Sequence, residues 1–137
     1  MTVRFVDASV LLYAISTDPQ ESRKAAVAQA ILTGTDLASS VQVLQEFYVQ
    51  ATRASRANPL SHEQAADLVE AFARFPVQDL TMPVVRSALR TRARYLLSYW
   101  DSAIIEAARA LGCRTVLSEE LCHGQDYGGV TVVNPFT

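Results

Sequence analysis

The feature that most restricts the fold is an alternation of short β-prone runs with longer stretches of helical periodicity. The clearest runs end at Val6, Ala38, Leu117 and Val133, and a weaker one covers 77–80. This alternation is typical of a parallel or mostly parallel sheet covered by helices. We therefore predict an α/β fold, a three-layer α/β/α arrangement with a mostly parallel central sheet, in a single domain over residues 1–137.

Capping patterns predict where the helices begin. We expect one or two helical turns over 8–14 and longer helices over about 19–32, 40–53, 62–74, 82–97 and 99–111, with Gly34 ending the first of the longer helices and Gly112 the last. The predicted starts are Asp18 with Pro19, Ser39 with Gln42, Ser61 with Gln64, and Thr81 with Pro83.

Composition limits the class of protein. The chain has 137 residues, half of them hydrophobic, and a net charge of −2, so bulk positive charge does not indicate nucleic-acid binding. The apolar runs are too short to span a bilayer, and Arg4 and Asp7 interrupt the only early one, unlike a signal peptide. We expect a soluble cytoplasmic protein with no membrane partner.

The two cysteines exclude a zinc site of the paired type. Cys113 and Cys122 lack the C-x-x-C spacing of such sites. We expect both to be free thiols, with Cys113 in or near the core.

Asp7 is the first candidate functional acid. It ends the first predicted strand, and ligands of open α/β sheets bind outside the carboxyl ends of the strands. The alternative is that Asp7 only caps the helix that follows, with Ser9 in its first turn.

Asp101 is the second candidate. Ile104 and Ile105 follow it at helical spacing, so its side chain shares the apolar stripe of its helix, whereas Glu106 is predicted on the solvated face. We place Asp101 beside Trp100 on the side that faces the interior. The alternative is a capping role together with Ser98.

The remaining acids carry weaker signals. Glu46 lies in the middle of a helix, where most glutamates are solvent-exposed helix formers. Glu119 and Glu120 follow the strand that ends at Leu117, and Ser118 adds a hydroxyl there. Several carboxylates without histidine or cysteine match the oxygen ligands that Mg²⁺ or Mn²⁺ prefers, and such an ion can activate water against a phosphodiester.

Four short motifs in order resemble those of PIN-domain nucleases, specifically the VapC-type toxins of toxin–antitoxin pairs. The similarity covers nearly the whole chain. The motifs are Phe5-Val6-Asp7-Ala8-Ser9, Leu44-Gln45-Glu46-Phe47-Tyr48, Tyr99-Trp100-Asp101-Ser102-Ala103-Ile104, and Leu117-Ser118-Glu119-Glu120-Leu121 with His123-Gly124.

The resemblance implies a metal-dependent endoribonuclease with four acids around one or two Mg²⁺ or Mn²⁺ ions. By position, Asp7, Glu46 and Asp101 match the family's metal ligands, and Ser118 matches its serine or threonine. The fourth acid, usually Asp, falls at Glu120, with Glu119 as a substitute. Ser9 is expected to support Asp7. The resemblance also implies a homodimer and a cognate antitoxin that docks over the cleft.

Arginines in the middle of the chain are candidates for contacts with RNA phosphates. Arg86, Arg90 and Arg94 share one helix face at four-residue spacing, and Arg53 and Arg56 follow Glu46. A simple solvated face explains the same pattern.

Two other functions remain open at this point. One is a module that binds RNA or an antitoxin and whose metal site has decayed through the glutamate at position 120. The other is a phosphatase-like enzyme with Asp7 as nucleophile, which would require a lysine near the strand ends. The only lysine, Lys24, falls near a helix start.

Overall fold

A computed structural model describes residues 2–137. Its central sheet has the strand order β3-β2-β1-β4-β5, and every neighbouring pair is parallel. The predicted parallel sheet is confirmed. The strands are β1 (Arg4–Val6), β2 (Leu37–Ser40), β3 (Val77–Gln78), β4 (Thr115–Leu117) and β5 (Thr131–Val133).

Six α-helices connect the described strands, close to the predicted ranges. A short 3-10 turn, Pro19–Glu21, precedes the second helix. The helices are α1 (Ala8–Ala14), α2 (Ser22–Leu32), α3 (Val41–Ala51), α4 (His62–Phe72), α5 (Met82–Tyr95) and α6 (Tyr99–Ala110).

Most predicted caps are found, and one is displaced. Ser61 and Gln64 form the predicted capping box. The cap of α3 is Ser40, which accepts from the amide of Val43, and the prediction of Ser39 was wrong. Ser39 is still in β2, where its hydroxyl donates to the carbonyl of Val6 at 3.0 Å.

The connections explain the three layers. The chain passes from β1 to β2 to β3 on one side of the sheet and then crosses back to β4 and β5. Because such crossovers are right-handed, α1 to α4 lie on one face and α5 and α6 on the other. The direction changes between β1 and β4, so their carboxyl ends flank the topological switch point where a crevice opens.

The core lies between these layers. Phe5 of β1 is fully buried and is in register with Ala38 and Val116 on the neighbouring strands. Burying a large apolar side chain such as that of Phe5 contributes roughly 1.5–3 kcal/mol to the free energy of unfolding. Cys113 is buried and Cys122 is exposed, both unpaired, as predicted. Among residues 2–137, no helix is both long and apolar enough to cross a bilayer.

Two expectations for α6 were wrong. Glu106 is not solvated: its side chain is only 5% exposed and accepts hydrogen bonds from Thr91 and Arg109. Trp100, expected to face the interior, is 64% exposed. The reason is that α6 is enclosed by the sheet and α5 along 102–108, so it has no wet face there, while Trp100 precedes the enclosed part.

Candidate metal centre

Asp7 lies at the end of β1 and is held by two hydroxyl groups. Its Oδ1 accepts from the amide of Ser9 at 2.9 Å and from the hydroxyl of Ser9 at 2.5 Å. Its Oδ2 accepts from the hydroxyl of Ser118. Asp7 is therefore the cap of α1 and also an oriented, buried carboxylate. Burial raises the pKa of this carboxyl, although the bonds from Ser118 and Ser9 oppose the rise.

Ser118 also shapes the loop that follows β4. Its Oγ accepts from the amides of Glu120 and Leu121, at 3.0 and 3.3 Å. The hydroxyl of Ser9 accepts from the amide of Glu119 at 3.2 Å. The two hydroxyl groups that orient Asp7 thus fix the backbone that carries both adjacent glutamates.

Glu119 and Glu120 occupy different environments. Glu119 accepts from the hydroxyl of Tyr13 at 2.5 Å and from the ammonium of Lys24 at 2.6 Å. Burial alone would raise the pKa of Glu119, but the bonds from Lys24 and Tyr13 outweigh it and lower the pKa. Glu119 is therefore already engaged by a cation.

The pKa of Glu120 is instead affected by burial and by the charges of the other acids. Its pKa is raised by partial burial and then by the negative charges of Asp7, Glu46, Asp101 and Glu119. Of the two adjacent glutamates, Glu120 is the one without a cationic partner among the described residues.

Glu46 lies on the second turn of α3 and is half-buried. Its Oε1 accepts from Nε2 of Gln42 at 3.1 Å, and the same nitrogen donates to the carbonyl of Trp100 at 3.2 Å. Gln42 thus ties α3 to the start of α6. The pKa of Glu46 is raised by burial and then by the charges of Asp7 and Asp101, against the bond from Gln42.

Asp101 lies in the first turn of α6, where its amide donates to the hydroxyl of Ser98 at 3.1 Å. Ser98 is therefore the cap of α6, but the reciprocal bond from the Ser98 amide to the Asp101 carboxylate, which would complete the predicted capping box, is not found in the described segment 98–101. The carboxylate charge of Asp101 also raises the pKa of Glu46 and of Glu120. We call Asp7, Glu46, Asp101 and Glu120 the carboxylate cluster.

The donor chemistry of the cluster suits a hard divalent cation. All of its side-chain donors are carboxylate oxygens, the ligands of Mg²⁺ and Mn²⁺. Within residues 2–137, however, no three acidic, histidine or cysteine side chains stand close enough to form a preformed ligand set. This spacing fits an ion that keeps several waters and few direct protein ligands, which is the usual behaviour of Mg²⁺.

A cleft of about 180 Å³ opens beside the cluster. Sequence reasoning did not find Tyr13 or Gln42. Tyr13 lies one turn after Ser9 on α1, a spacing that places both on one helix face. The cleft is lined by Ser9, Leu12, Tyr13, Glu21, Arg56, Glu119 and Glu120.

The other arginine candidates lie elsewhere. Arg90 and Arg94 line a separate cavity of about 480 Å³ with Arg109 and Glu106. Arg86 is exposed on the same helix, and Arg53 is exposed just after α3. As far as residues 2–137 define it, the lining of the cleft includes Arg56 and none of these four.

The chain matches the family model of the PIN domain over residues 4–120. No curated protein sequence matches it significantly. The match to the family model confirms the sequence resemblance to the PIN domain.

Solved structures share the fold at low sequence identity. The FitAB complex bound to an IR36 DNA fragment aligns with a TM-score of 0.71 and 19% identity, over 98% of this chain and 96% of that chain. A toxin–antitoxin complex from Klebsiella pneumoniae aligns with a TM-score of 0.67 and 18% identity, over 96% of this chain and 97% of that chain. VapC20 from Mycobacterium tuberculosis is described as a sarcin–ricin loop-cleaving toxin. It aligns with a TM-score of 0.63 and 17% identity, over 82% of this chain and 86% of that chain. With the family match covering most of its length, this chain belongs to the PIN domain family.

Proposed function

We propose that this protein is a divalent-metal-dependent endoribonuclease and the toxin of a toxin–antitoxin pair. The observation that carries the proposal is the approach of four carboxylates near the switch point of the sheet, where burial and then the charges of neighbouring acids raise the pKa of Glu46 and of Glu120. Like charges held together without a cation are unfavourable, so the arrangement favours a function that recruits one.

Mg²⁺ or Mn²⁺ is the proposed cofactor, held by Asp7, Glu46, Asp101 and Glu120 either directly or through bound water. The bound ion would supply charge for the phosphodiester and a water of lowered pKa for hydrolysis. Ser9 and Ser118 orient Asp7, and Gln42 orients Glu46. Because Lys24 and Tyr13 engage Glu119, we assign the fourth ligand to Glu120 and not to its neighbour.

RNA is the proposed substrate, and a cognate antitoxin is the proposed partner. The first is supported by the fold shared with a toxin described as cleaving the sarcin–ricin loop, and the second by the fold shared with chains of toxin–antitoxin complexes. A homodimer and a cytoplasmic location complete the proposal. We also propose one domain over the whole chain, since β5 extends the sheet beyond the family match, which ends at residue 120.

Carboxylate substitutions test the catalytic assignment. Asp7→Asn and Asp101→Asn are expected to remove RNA cleavage in the presence of Mg²⁺ or Mn²⁺ while leaving the circular dichroism spectrum and antitoxin binding intact. Asp67→Asn, which changes an exposed acid of α4, is the matched control and should cleave normally. Cleavage by purified Asp101→Asn at the wild-type rate would refute the proposal.

A second candidate is a module that binds RNA or an antitoxin without cleaving. The glutamate at position 120, where the family usually has an aspartate, is the observation that favours it. Calorimetric titration with Mn²⁺ separates the two functions. Binding that disappears in Glu46→Gln supports the enzyme, whereas no carboxylate-dependent binding supports the module.

The phosphatase alternative is not supported. Lys24 does reach the loop after β4, which the sequence did not indicate. Its ammonium, however, is bound to Glu119 and Tyr13, and the hydrogen-bond partners of Asp7 are Ser9 and Ser118. The PIN family match agrees with the nuclease.

A further inference from the structure

We propose that the cleft beside the carboxylate cluster holds the backbone of the RNA strand next to the cleaved bond, with Arg56 binding a neighbouring phosphate. This inference rests on the proposed ribonuclease function. It selects one of several candidate arginines and gives the strand a path across the surface.

Arg56 reaches the cleft from the connection between α3 and α4. Its Nη2 lies 3.5 Å from the carbonyl oxygen of Leu12 in α1, at the outer limit of a hydrogen bond. It lines the same cleft as Ser9 and Glu120. The side chain therefore spans from one helical connection to the helix that Asp7 caps.

The charge of Arg56 is available to a ligand. The ion pairs among residues 2–137 are Arg4–Asp36, Lys24–Glu119 and Arg109–Glu106, and Arg56 belongs to none of them. Lys24, the other cation near the cleft, is neutralised by Glu119. A guanidinium carries several N–H donors in a fork that suits phosphate oxygens, and Arg56 uses one of them weakly.

The cleft continues past Arg56. A second cavity of about 210 Å³ shares Arg56 and Glu21 with the first and extends toward Asp18 and Asn58. The two cavities therefore adjoin at Arg56 and Glu21, and in this proposal they form one groove. The groove starts at Glu120 and passes the guanidinium.

Electrostatics favour a phosphate at Arg56 over other parts of the groove. Glu21 and Glu120 in the first cavity and Asp18 in the second repel an anionic strand. The charge of Glu119, by contrast, is compensated by Lys24. The cation proposed at the carboxylate cluster would attract the cleaved phosphate, and Arg56 offers the second positive point along the same groove. Two positive points in an otherwise acidic groove fix the register of a phosphodiester chain.

The inference predicts a binding defect in Arg56→Ala. Affinity for a short fluorescein-labelled single-stranded RNA is measured by anisotropy at several salt concentrations, with Asp101→Asn as the non-cleaving background. We expect Kd to rise about tenfold, the size of one lost charge-assisted contact, and the salt slope to fall by about 0.7. In the cleaving protein, KM should rise while kcat changes little.

Arg114→Ala is the matched control. Arg114 is exposed and lies at the amino end of β4, whereas the carboxylate cluster lies at the carboxyl ends of the strands. Its loss therefore removes the same charge outside the groove. Arg56→Lys should keep the salt slope and recover part of the affinity, because it retains the charge without the fork.

The outcomes separate this inference from the proposed function. If the wild type cleaves RNA and Arg56→Ala matches Arg114→Ala in Kd, salt slope and KM, the groove assignment is wrong and the ribonuclease stands. If poly-glutamate binds as tightly as RNA and loses affinity equally in Arg56→Ala, the groove is a site for acidic protein segments. A wild type that neither binds nor cleaves RNA overturns both.

Discussion

The hydroxyl of Ser118 donates a hydrogen bond to the carboxylate of Asp7, joining residues 111 positions apart. Ser118 is fully buried and Asp7 is 6% exposed. The same Oγ accepts from the amides of Glu120 and Leu121. One hydroxyl group thus couples the carboxylate at the end of β1 to the loop that carries another acid of the cluster.

Removing this hydroxyl should weaken both the fold and the reaction. Ser118→Ala leaves a buried carboxylate with one donor fewer and is expected to reduce the free energy of unfolding by about 1.5–3 kcal/mol, measured by urea denaturation. Cleavage should fall because Asp7 and Glu120 lose their orientation. Ser118→Thr restores the hydroxyl and should recover cleavage; equal activity in Ser118→Ala would contradict the positioning role.

The two adjacent glutamates should respond differently to loss of charge. Glu120→Gln is expected to abolish cleavage and weaken Mn²⁺ binding in calorimetry. Glu119→Gln removes the ion pair with Lys24 and should retain most of the cleavage rate, since Glu119 is held away by Lys24 and Tyr13. The reverse order of the two activities would move the fourth ligand to Glu119.

The carboxylate cluster should destabilise the metal-free protein. Glu46→Gln removes one of the mutually repelling charges and keeps an oxygen to accept from Gln42, so the Tm without metal should rise. At a hundredfold excess over Kd, Mn²⁺ should raise the free energy of unfolding of the wild type by about 2.7 kcal/mol, and with it the Tm. The rise in Tm should be smaller for Glu46→Gln. Differential scanning calorimetry measures both effects, and an equal Mn²⁺ shift in both proteins would contradict the assignment.

The pair of Arg4 and Asp36 should make stability depend on acid pH. The guanidinium donates to both carboxylate oxygens, at 3.0 and 3.2 Å, and this bonding lowers the pKa of Asp36 below its ordinary value of 3.8. The pair therefore stabilises the fold fully at pH values above 3.8, the ordinary pKa of an aspartate. This stabilisation is lost as the pH falls through the lower pKa that Asp36 has in the folded protein.

Asp36→Asn tests this linkage. The variant should be less stable than the wild type at pH 6, and the difference should shrink as the pH approaches 2, as measured by urea unfolding across the pH range. A difference that stays constant with pH would show that the charge of Asp36 does not contribute.

Arg109 should be important for stability although it is partly exposed. It donates to the buried carboxylate of Glu106 and to the carbonyls of Tyr127 and Gly128. Arg109→Ala leaves that carboxylate with only Thr91 and, because the Arg109 side chain is itself 40% exposed, is expected to cost about 1.5–3 kcal/mol of unfolding free energy. Arg114→Ala, which removes an exposed arginine, should change the stability little; equal losses in both variants would show that the bonds to Glu106 do not contribute.

Local patterns explain what could be predicted. The boundaries of β4, the capping box of Ser61 and the capping of α6 by Ser98 all depend on residues within a few positions of one another. Asp7 was found because it follows a local strand, and Asp101 because it shares the apolar stripe of its own helix. Glu46 has no local signal of this kind, and it was identified through the resemblance to PIN-domain nucleases.

The sequence by itself determined the alternation of strands and helices, the parallel sheet, and Asp7 and Asp101 as candidate acids, because backbone preferences and hydrophobic periodicity are local properties. Only the tertiary structure distinguished Glu119 from Glu120, buried Glu106 and brought Arg56 to the cleft. Each of these outcomes depends on partners far away in the chain, such as Lys24 for Glu119, whose proximity is set by packing of the helices on the sheet. The charge environment of a side chain is therefore a property of the fold, whereas its presence is a property of the sequence.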